Sequence, residues 1–171
     1  MTIQIDSREK AKAIRGIQAA FDRMDVMHFI SKLPVGDYMS LDNPRLVIDR
    51  KKDLCEICVN LSDVPKKAPD GRIKRDGQGK PQSEWNRICR ELQRACDLGI
   101  SVVFLCEHGK GVRCLSDVRG WANPRLKESP LAMSGERLYR RMEVLERKYG
   151  VKWLFCDKKD TGRRIVEILG G

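Results

Sequence analysis

The segment Ser101-Val102-Val103-Phe104-Leu105-Cys106 carries five apolar side chains in succession, with no polar alternation. A strand of that kind is apolar on both faces, so it must lie inside a sheet that is covered on both sides. The flanking sequence supplies the cover. Ahead of it, Ser83 suits a helix N-cap, and Trp85, Ile88, Cys89, Leu92, Ala95 and Cys96 recur at helical spacing until Gly99. After it, the pattern predicts a helix near 116–122, a charged helix over 135–149, a strand over 151–156 and a last helix over 161–169. Upstream, residues 2–6 (TIQID) alternate like a strand. Ala13, Ile14, Ile17, Ala20, Phe21 and Met24 then form the stripe of a helix over 9–24. Strand-like runs at 26–30, 36–41 and 45–49, punctuated by Pro34 and Asp42-Asn43-Pro44, read as a compact meander, and 53–61 fits a short helix. Strands alternating with helices after a meander predict an α/β fold, a mixed central sheet flanked by helices.

A chain of 171 residues suits a single domain over 1–171. The segment 62–82 has three prolines, three glycines and almost no large apolar side chain, and so reads as a flexible basic loop. No apolar run approaches the roughly 18 residues of a membrane span, and the N-terminus lacks an apolar signal core. The expected location is cytoplasmic. Seven cysteines, an odd number, argue against a disulfide framework. Cys55 and Cys58 form a CxxC without a second ligand pair and read as small core residues. His28 reads as a packed histidine. His108 lies after a strand end with no partner carboxylate at recognisable spacing. Trp121 and Trp153 read as core or interface anchors.

Thirty-four Lys and Arg against 24 Asp and Glu give a net charge of +10, which points to a polyanion, most often nucleic acid. The excess lies after residue 62. The first third is nearly neutral, and its acidic residues have room to form a metal site.

That site is legible in Leu33-Pro34-Val35-Gly36-Asp37-Tyr38 and Val47-Ile48-Asp49-Arg50-Lys51-Lys52. If 36–41 and 45–50 are adjacent antiparallel strands, Asp37 and Asp49 come close, and Asp49 and Lys51 share a face. Two carboxylates suit Mg²⁺, a hard cation that keeps waters and accepts a phosphate oxygen. Lys51 is then placed to orient or deprotonate a water and to stabilise charge on a scissile phosphate. The spacing alone also fits a solvated strand end with an ordinary ion pair.

Asp37…Asp49-X-Lys51 matches the PD-(D/E)XK pattern. With Ile5-Asp6-Ser7-Arg8-Glu9 before it, the sequence resembles the XPF-type nuclease domain, whose signature runs D-x-R-E, V-G-D-Y, E-R-K and a later acidic residue. Trp85…Glu91-Leu92…Ala95, SVVFLCEHG and the tail KWLFCDKKDTGRRIVEIL are similar to the small prokaryotic and phage members of that family. The resemblance implies a restriction-endonuclease-like core and a metal-dependent, structure-selective endonuclease for branched or flapped DNA, of use in DNA repair or recombination, with Mg²⁺ as cofactor and Mn²⁺ able to substitute. It implies Asp37 and Asp49 as metal ligands, Lys51 as the catalytic lysine, Asp6 as a further acidic ligand beside them, and Arg8 as holding a phosphate or a neighbouring carboxylate. Arg50 is expected to brace the strand or touch DNA. Asp49 stands where the family usually has Glu. The later acidic position falls on Cys55, leaving Asp53 or Glu56 as substitutes.

No tandem helix-hairpin-helix module is recognisable, so DNA is expected to be held by this domain, by its dimer or by a partner protein. Lys66, Lys67, Arg72, Lys74, Arg75 and Lys80 on the loop are candidate phosphate contacts. Arg87, Arg90 and Arg94 form a second basic stripe, or a plain solvent face. An apolar surface around Leu138, Met142 and Leu145 is a candidate homodimer contact, or core. The alternatives to a structure-selective nuclease are a non-catalytic DNA-binding or scaffolding subunit, and a junction resolvase or nickase using the same site.

Overall fold

The computed structural model describes all 171 residues, Met1–Gly171. Six strands form one sheet: β1 (Thr2–Asp6), β2 (Met27–Ser31), β3 (Tyr38–Ser40), β4 (Asn43–Lys51), β5 (Ser101–Cys106) and β6 (Lys152–Phe155). Their spatial order is β2-β1-β3-β4-β5-β6. Five helices cover it: α1 (Ala11–Arg23), α2 (Leu54–Asn60), α3 (Glu84–Asp97), α4 (Gly135–Tyr149) and α5 (Thr161–Gly170). The helix expected near 116–122 is a 3-10 turn over Leu115–Gly120. No helix is long and apolar enough to cross a membrane.

Alternation along β4 and β5 sorts the core into two layers. Val47, Val102 and Phe104 pack with α2, α3 and α4, while Ile48, Val103 and Leu105 pack with Ile14, Ile17 and Phe21 of α1 and Ile165 of α5. Strand β5 is therefore buried on both faces, as its composition demands. Ser83 caps α3, its hydroxyl accepting the Asn86 N–H at 3.1 Å, and α4 closes on Gly150 in the left-handed region.

Two expectations change, and the basic loop shows its own turns. Strand β2 does not belong to a meander: it runs parallel to β1 and pairs with nothing else, α1 being the crossover between them. Leu138, Met142 and Leu145 are fully buried under the sheet, so they are core and not a dimer surface. The 62–82 segment closes on itself. Lys67 bridges Ile73 and Arg75 bridges Pro81, and the Gly71 and Gly79 N–H groups close tight turns on the Ala68 and Asp76 carbonyls at 2.9 Å each. Turn chemistry organises this backbone without an apolar core.

One topological fact places everything that follows. Strand β3 is antiparallel to both β1 and β4, whereas β1 with β2, β4 with β5, and β5 with β6 are parallel. The start of β3 thus lies at the same rim of the sheet as the C-terminal ends of the other five strands.

Candidate active site

Gly36 leads into β3 with φ of +72°, and a Cβ there would lie 3.1 Å from the Ile48 carbonyl and the Val47 side chain. Glycine permits both the left-handed turn and the close approach, which lets the Asp37 N–H reach the Ile48 carbonyl at 2.7 Å. Asp37 then accepts the Arg50 N–H on Oδ2 at 2.7 Å. On β4, Asp49 and Lys51 sit on the Phe104 side of the sheet. The Lys51 ammonium lies 2.6 Å from Asp49 Oδ1 and 5.6 Å from the centre of the Phe104 ring.

These groups line a cleft of about 220 Å³ with no hydrophobic lining residue, shared by Arg8, Glu9, Gly36, Asp37, Asp49, Arg50, Lys51, Glu56, Arg87 and Glu91. Burial, then the charges of Asp49 and Glu9, push the Asp37 carboxyl well above the usual carboxylate range, against the pull of Lys51 and the Arg50 N–H. Burial alone would lower the Lys51 pKa, but Asp49 and then Asp37 outweigh it and hold the amine above its ordinary value. Lys51 is a cation here. This favours an electrostatic role over the deprotonation of water.

Asp6 takes a different part from the one expected. It is fully buried, and both oxygens are used: Oδ1 by the Arg8 N–H at 2.8 Å and Arg8 Nε at 2.7 Å, Oδ2 by the Leu33 N–H at 2.6 Å and Arg8 Nη2 at 3.1 Å. Burial raises its pKa, yet the bonds from Arg8 and Leu33 bring it below the usual range. Asp6 is a structural pin at the end of β1 with no oxygen left for a metal. Arg8, 59% exposed along its side chain, takes this carboxylate as its partner.

Arg50 alternates to the α1 and α5 side of the sheet. Its side chain is 11% exposed, and its guanidinium lies 2.8 Å from Glu9 Oε2 and 3.3 Å from Glu107 Oε1. It braces Glu9 and Glu107 against the end of β4. The Tyr38 hydroxyl also reaches Glu9 Oε2, at 3.2 Å, and the Thr161 hydroxyl donates to Glu107 Oε1 at 2.9 Å. Sequence reasoning passed over Glu9 and Glu107. Glu9 stood in the D-x-R-E element beside Asp6, and Glu107 directly follows the most buried strand.

The two candidates for the later acidic position, Asp53 and Glu56, sit differently. Asp53 is the N-cap of α2, accepting the Glu56 N–H at 2.7 Å, while Glu56 faces the cleft and accepts the Lys52 N–H on Oε2 at 2.8 Å. Cys55 points instead toward Asn123. Burial raises the Cys55 thiol and pushes Cys58 up to about 12, so neither offers a ready thiolate. His28 packs edge-on against Phe21 and His108 edge-on against Trp121, both outside the cleft. Trp153 stacks on Phe104 with ring centres 4.3 Å apart.

Arg87 enters the cleft from α3, 2.6 Å from Glu84 and 3.0 Å from Glu91. Burial lowers its pKa, but Glu84, Glu91 and Asp49 hold it above its ordinary value. On the loop, Lys66 pairs with Glu84 at 2.5 Å and Arg72 with Asp70 at 2.9 Å, and Arg75 donates to the Gly79 carbonyl at 2.7 Å. Lys67, Lys74 and Lys80 are exposed and carry no ion pair.

No three His, Cys, Asp or Glu side chains form a ready metal cage. Two hard oxygen donors in a polar cleft, one of them buried beside a like charge, nonetheless fit a cation that keeps most of its waters. The raised Asp37 carboxyl gives a direct check. A carboxyl raised in the folded state contributes its full stability below the unfolded value of about 3.9 and loses it as pH rises toward the folded one. In EDTA, Asp37→Asn should therefore melt above the parent protein, by a margin that opens above about pH 4. Mg²⁺ should stabilise the parent, by about 2.7 kcal/mol at one hundred times its Kd, and leave the variant unmoved. Thermal melts across pH with and without Mg²⁺ measure both.

No family model matches the sequence, and no curated protein matches it in sequence. Among solved structures the fold is similar to XPF from Aeropyrum pernix, with a TM-score of 0.62 at 18% identity, over 99% of this chain and 63% of that one. The chain thus spans less than two thirds of the structure it matches. The mixed six-stranded sheet with its flanking helices is the fold of an XPF-type nuclease.

Proposed function

We propose that this chain is a metal-dependent endonuclease that hydrolyses phosphodiester bonds in branched or flapped DNA. The observation that carries the reading is the meeting of Asp37, Asp49 and Lys51 at one rim of a sheet shared with XPF. Asp37 and Asp49 would hold Mg²⁺, or Mn²⁺ in its place, with Glu56 and Glu9 at hand in the same cleft. The bound cation would activate water and neutralise phosphate charge. Lys51, kept charged by Asp49, stabilises the charge that builds on the scissile phosphate. Arg87 offers a second cation from the α3 side, held in place by two glutamates. Glu9 is oriented by Arg50 and Tyr38, which both bond to its Oε2.

Lys67, Lys74 and Lys80 are the loop cations free to meet a DNA backbone. The loop is tied to α3 by the Lys66–Glu84 pair, so its position is linked to that of Arg87. The test is cleavage of 5′ flaps, 3′ flaps, four-way junctions, duplex and single strands in Mg²⁺ or Mn²⁺. Metal-dependent cuts near a branch are expected, and binding without cleavage of any substrate would turn the reading toward a scaffolding subunit. Replacing Lys67, Lys74 and Lys80 with Ala should flatten the slope of log affinity against log salt by about 2.7, near 0.9 for each lost phosphate contact. An unchanged slope removes the loop from the interface.

A further inference from the structure

A second concavity lies on the far side of α2. It measures about 290 Å³ and is lined in part by Val59, Val64, Leu131, Met133, Arg125 and Arg137. Val59 is 48% exposed, Val64 70% and Leu131 88%, so its apolar floor faces solvent. Its wall is anchored. Asn123 is buried, donates through Nδ2 to the Met133 carbonyl at 2.8 Å and accepts the Arg125 N–H at 3.0 Å, which ties the 123–133 segment together, and it meets the Cys55 and Cys58 sulfurs of α2.

The charge on this groove is unbalanced. Arg141 beside it takes the Asp63 carboxylate at 2.5 Å. Arg125 and Arg137 have no carboxylate within 4.0 Å. The one carboxylate in the groove lining, Asp63, is taken by Arg141 with Arg137 further off, so two exposed guanidinium groups outside a close ion pair flank three exposed aliphatic side chains. This combination suits a ligand with flat apolar faces and regularly spaced anions.

Unpaired DNA has that chemistry, since its bases offer apolar faces and its backbone offers phosphates. Duplex DNA does not, because its bases are stacked inside. The groove also lies close to the proposed chemistry. Glu56 of the cleft and Cys58 and Val59 of the groove are on the same short helix, two to three residues apart, or roughly 3–5 Å along its axis. We infer that this groove binds the single-stranded arm of a branched substrate, with bases on Val59, Val64 and Leu131 and phosphates on Arg125 and Arg137. The inference rests on the DNA reading above and specifies which part of the substrate the protein grips.

The test measures anisotropy in EDTA, so that no cleavage intervenes, with the whole chain and two probes: a plain duplex and the same duplex carrying an oligo-dT arm. The parent protein should bind the armed probe about tenfold more tightly, a gain drawn from apolar burial on three aliphatic side chains and from two added phosphate contacts. Arg125→Gln with Arg137→Gln, and separately Val64→Asp with Leu131→Asp, should erase that gain and leave plain-duplex affinity as it was. All four side chains are exposed, and a melt of each variant verifies folding. A 4-thiothymidine in the arm should cross-link to residues 58–64 or 125–137.

Retention of the full gain by both folded variants overturns the inference. So does a parent protein that binds both probes equally. If that protein still cleaves DNA, the nuclease reading stands and the groove assignment alone falls. If it binds neither probe, both fall. Saturable binding of a fluorescent acidic peptide that Arg125→Gln with Arg137→Gln abolishes, without any preference for the arm, would assign the groove to a protein partner and overturn the inference as well.

Discussion

Asp49→Ala should lower metal-dependent cleavage by about a hundred- to a thousandfold, the usual scale for removing one electrostatic contact from a reacting centre. Two losses combine. The cleft keeps only Asp37 as a buried ligand, and Lys51 loses the carboxylate 2.6 Å away that holds its amine charged and in place. Because that amine would be left buried without its partner, the alanine variant should also lose stability. Asp49→Asn is the cleaner companion: it keeps the volume and a carbonyl oxygen near Lys51, yet gives up the negative charge a cation needs. Both variants should still bind DNA, since the exposed cations lie elsewhere. Single-turnover cleavage beside a binding titration separates the two effects. Parent-level cleavage by a folded Asp49→Asn preparation would remove Asp49 from the chemistry.

Arg50→Ala carries the largest expected stability cost, about 3–5 kcal/mol, the range for breaking a buried ion pair. Glu9 and Glu107 both lean on this guanidinium, and their side chains are 16% and 3% exposed. Glu107 Oε2 is already buried without a hydrogen-bond partner. Removing Arg50 leaves both of these mostly buried carboxylates without their cation at the end of β4. For a domain of this size each kcal/mol moves the melting temperature by about 2–4 °C, so a fall of roughly 6–20 °C is expected. Adding Glu9→Gln and Glu107→Gln to Arg50→Ala should recover part of the loss, because no buried charge then lacks a partner. A melt of the triple variant no higher than that of Arg50→Ala would mean that the arginine acts through packing and not through charge.

Much of this was legible because it follows from local rules. SVVFLC announced a strand covered on both faces, the stripe from Trp85 to Cys96 announced α3, and Ser83 marked its start. Asp37, Asp49 and Lys51 could be grouped because a short antiparallel pairing brings them together within fifteen residues. What escaped depended on contacts distant in sequence. Periodicity identifies the 26–30 run as a strand but not its neighbour, so β2 was expected beside β3 when it pairs with β1. An apolar helical stripe gives no indication of what covers it, and Leu138, Met142 and Leu145 proved to be covered by the sheet itself.

The different surroundings of Asp6 and Glu9 escaped for a similar reason. Both carboxylates sit in one four-residue element, and only the position of the Leu33 N–H and of Arg50 decides which is consumed by the scaffold. Arg50 could be placed on the face opposite Lys51 from strand alternation alone. Its partners, 41 residues upstream and 57 downstream, could not.

The single antiparallel strand also bears on how the molecule folds. Asp37 and Asp49 belong to neighbours joined by a two-residue turn, so the carboxylate pair can form early, from a local hairpin. Glu107 and Thr161 reach the rim only when β5 and β6 dock in parallel, and Glu9 only when β1 pairs with β3 across α1 and β2; both steps close much longer loops at a higher entropic cost. For part of the folding reaction two like charges would be held together before their scaffold exists. A divalent cation present at that stage would relieve the repulsion, and could therefore hasten folding as well as stabilise its product.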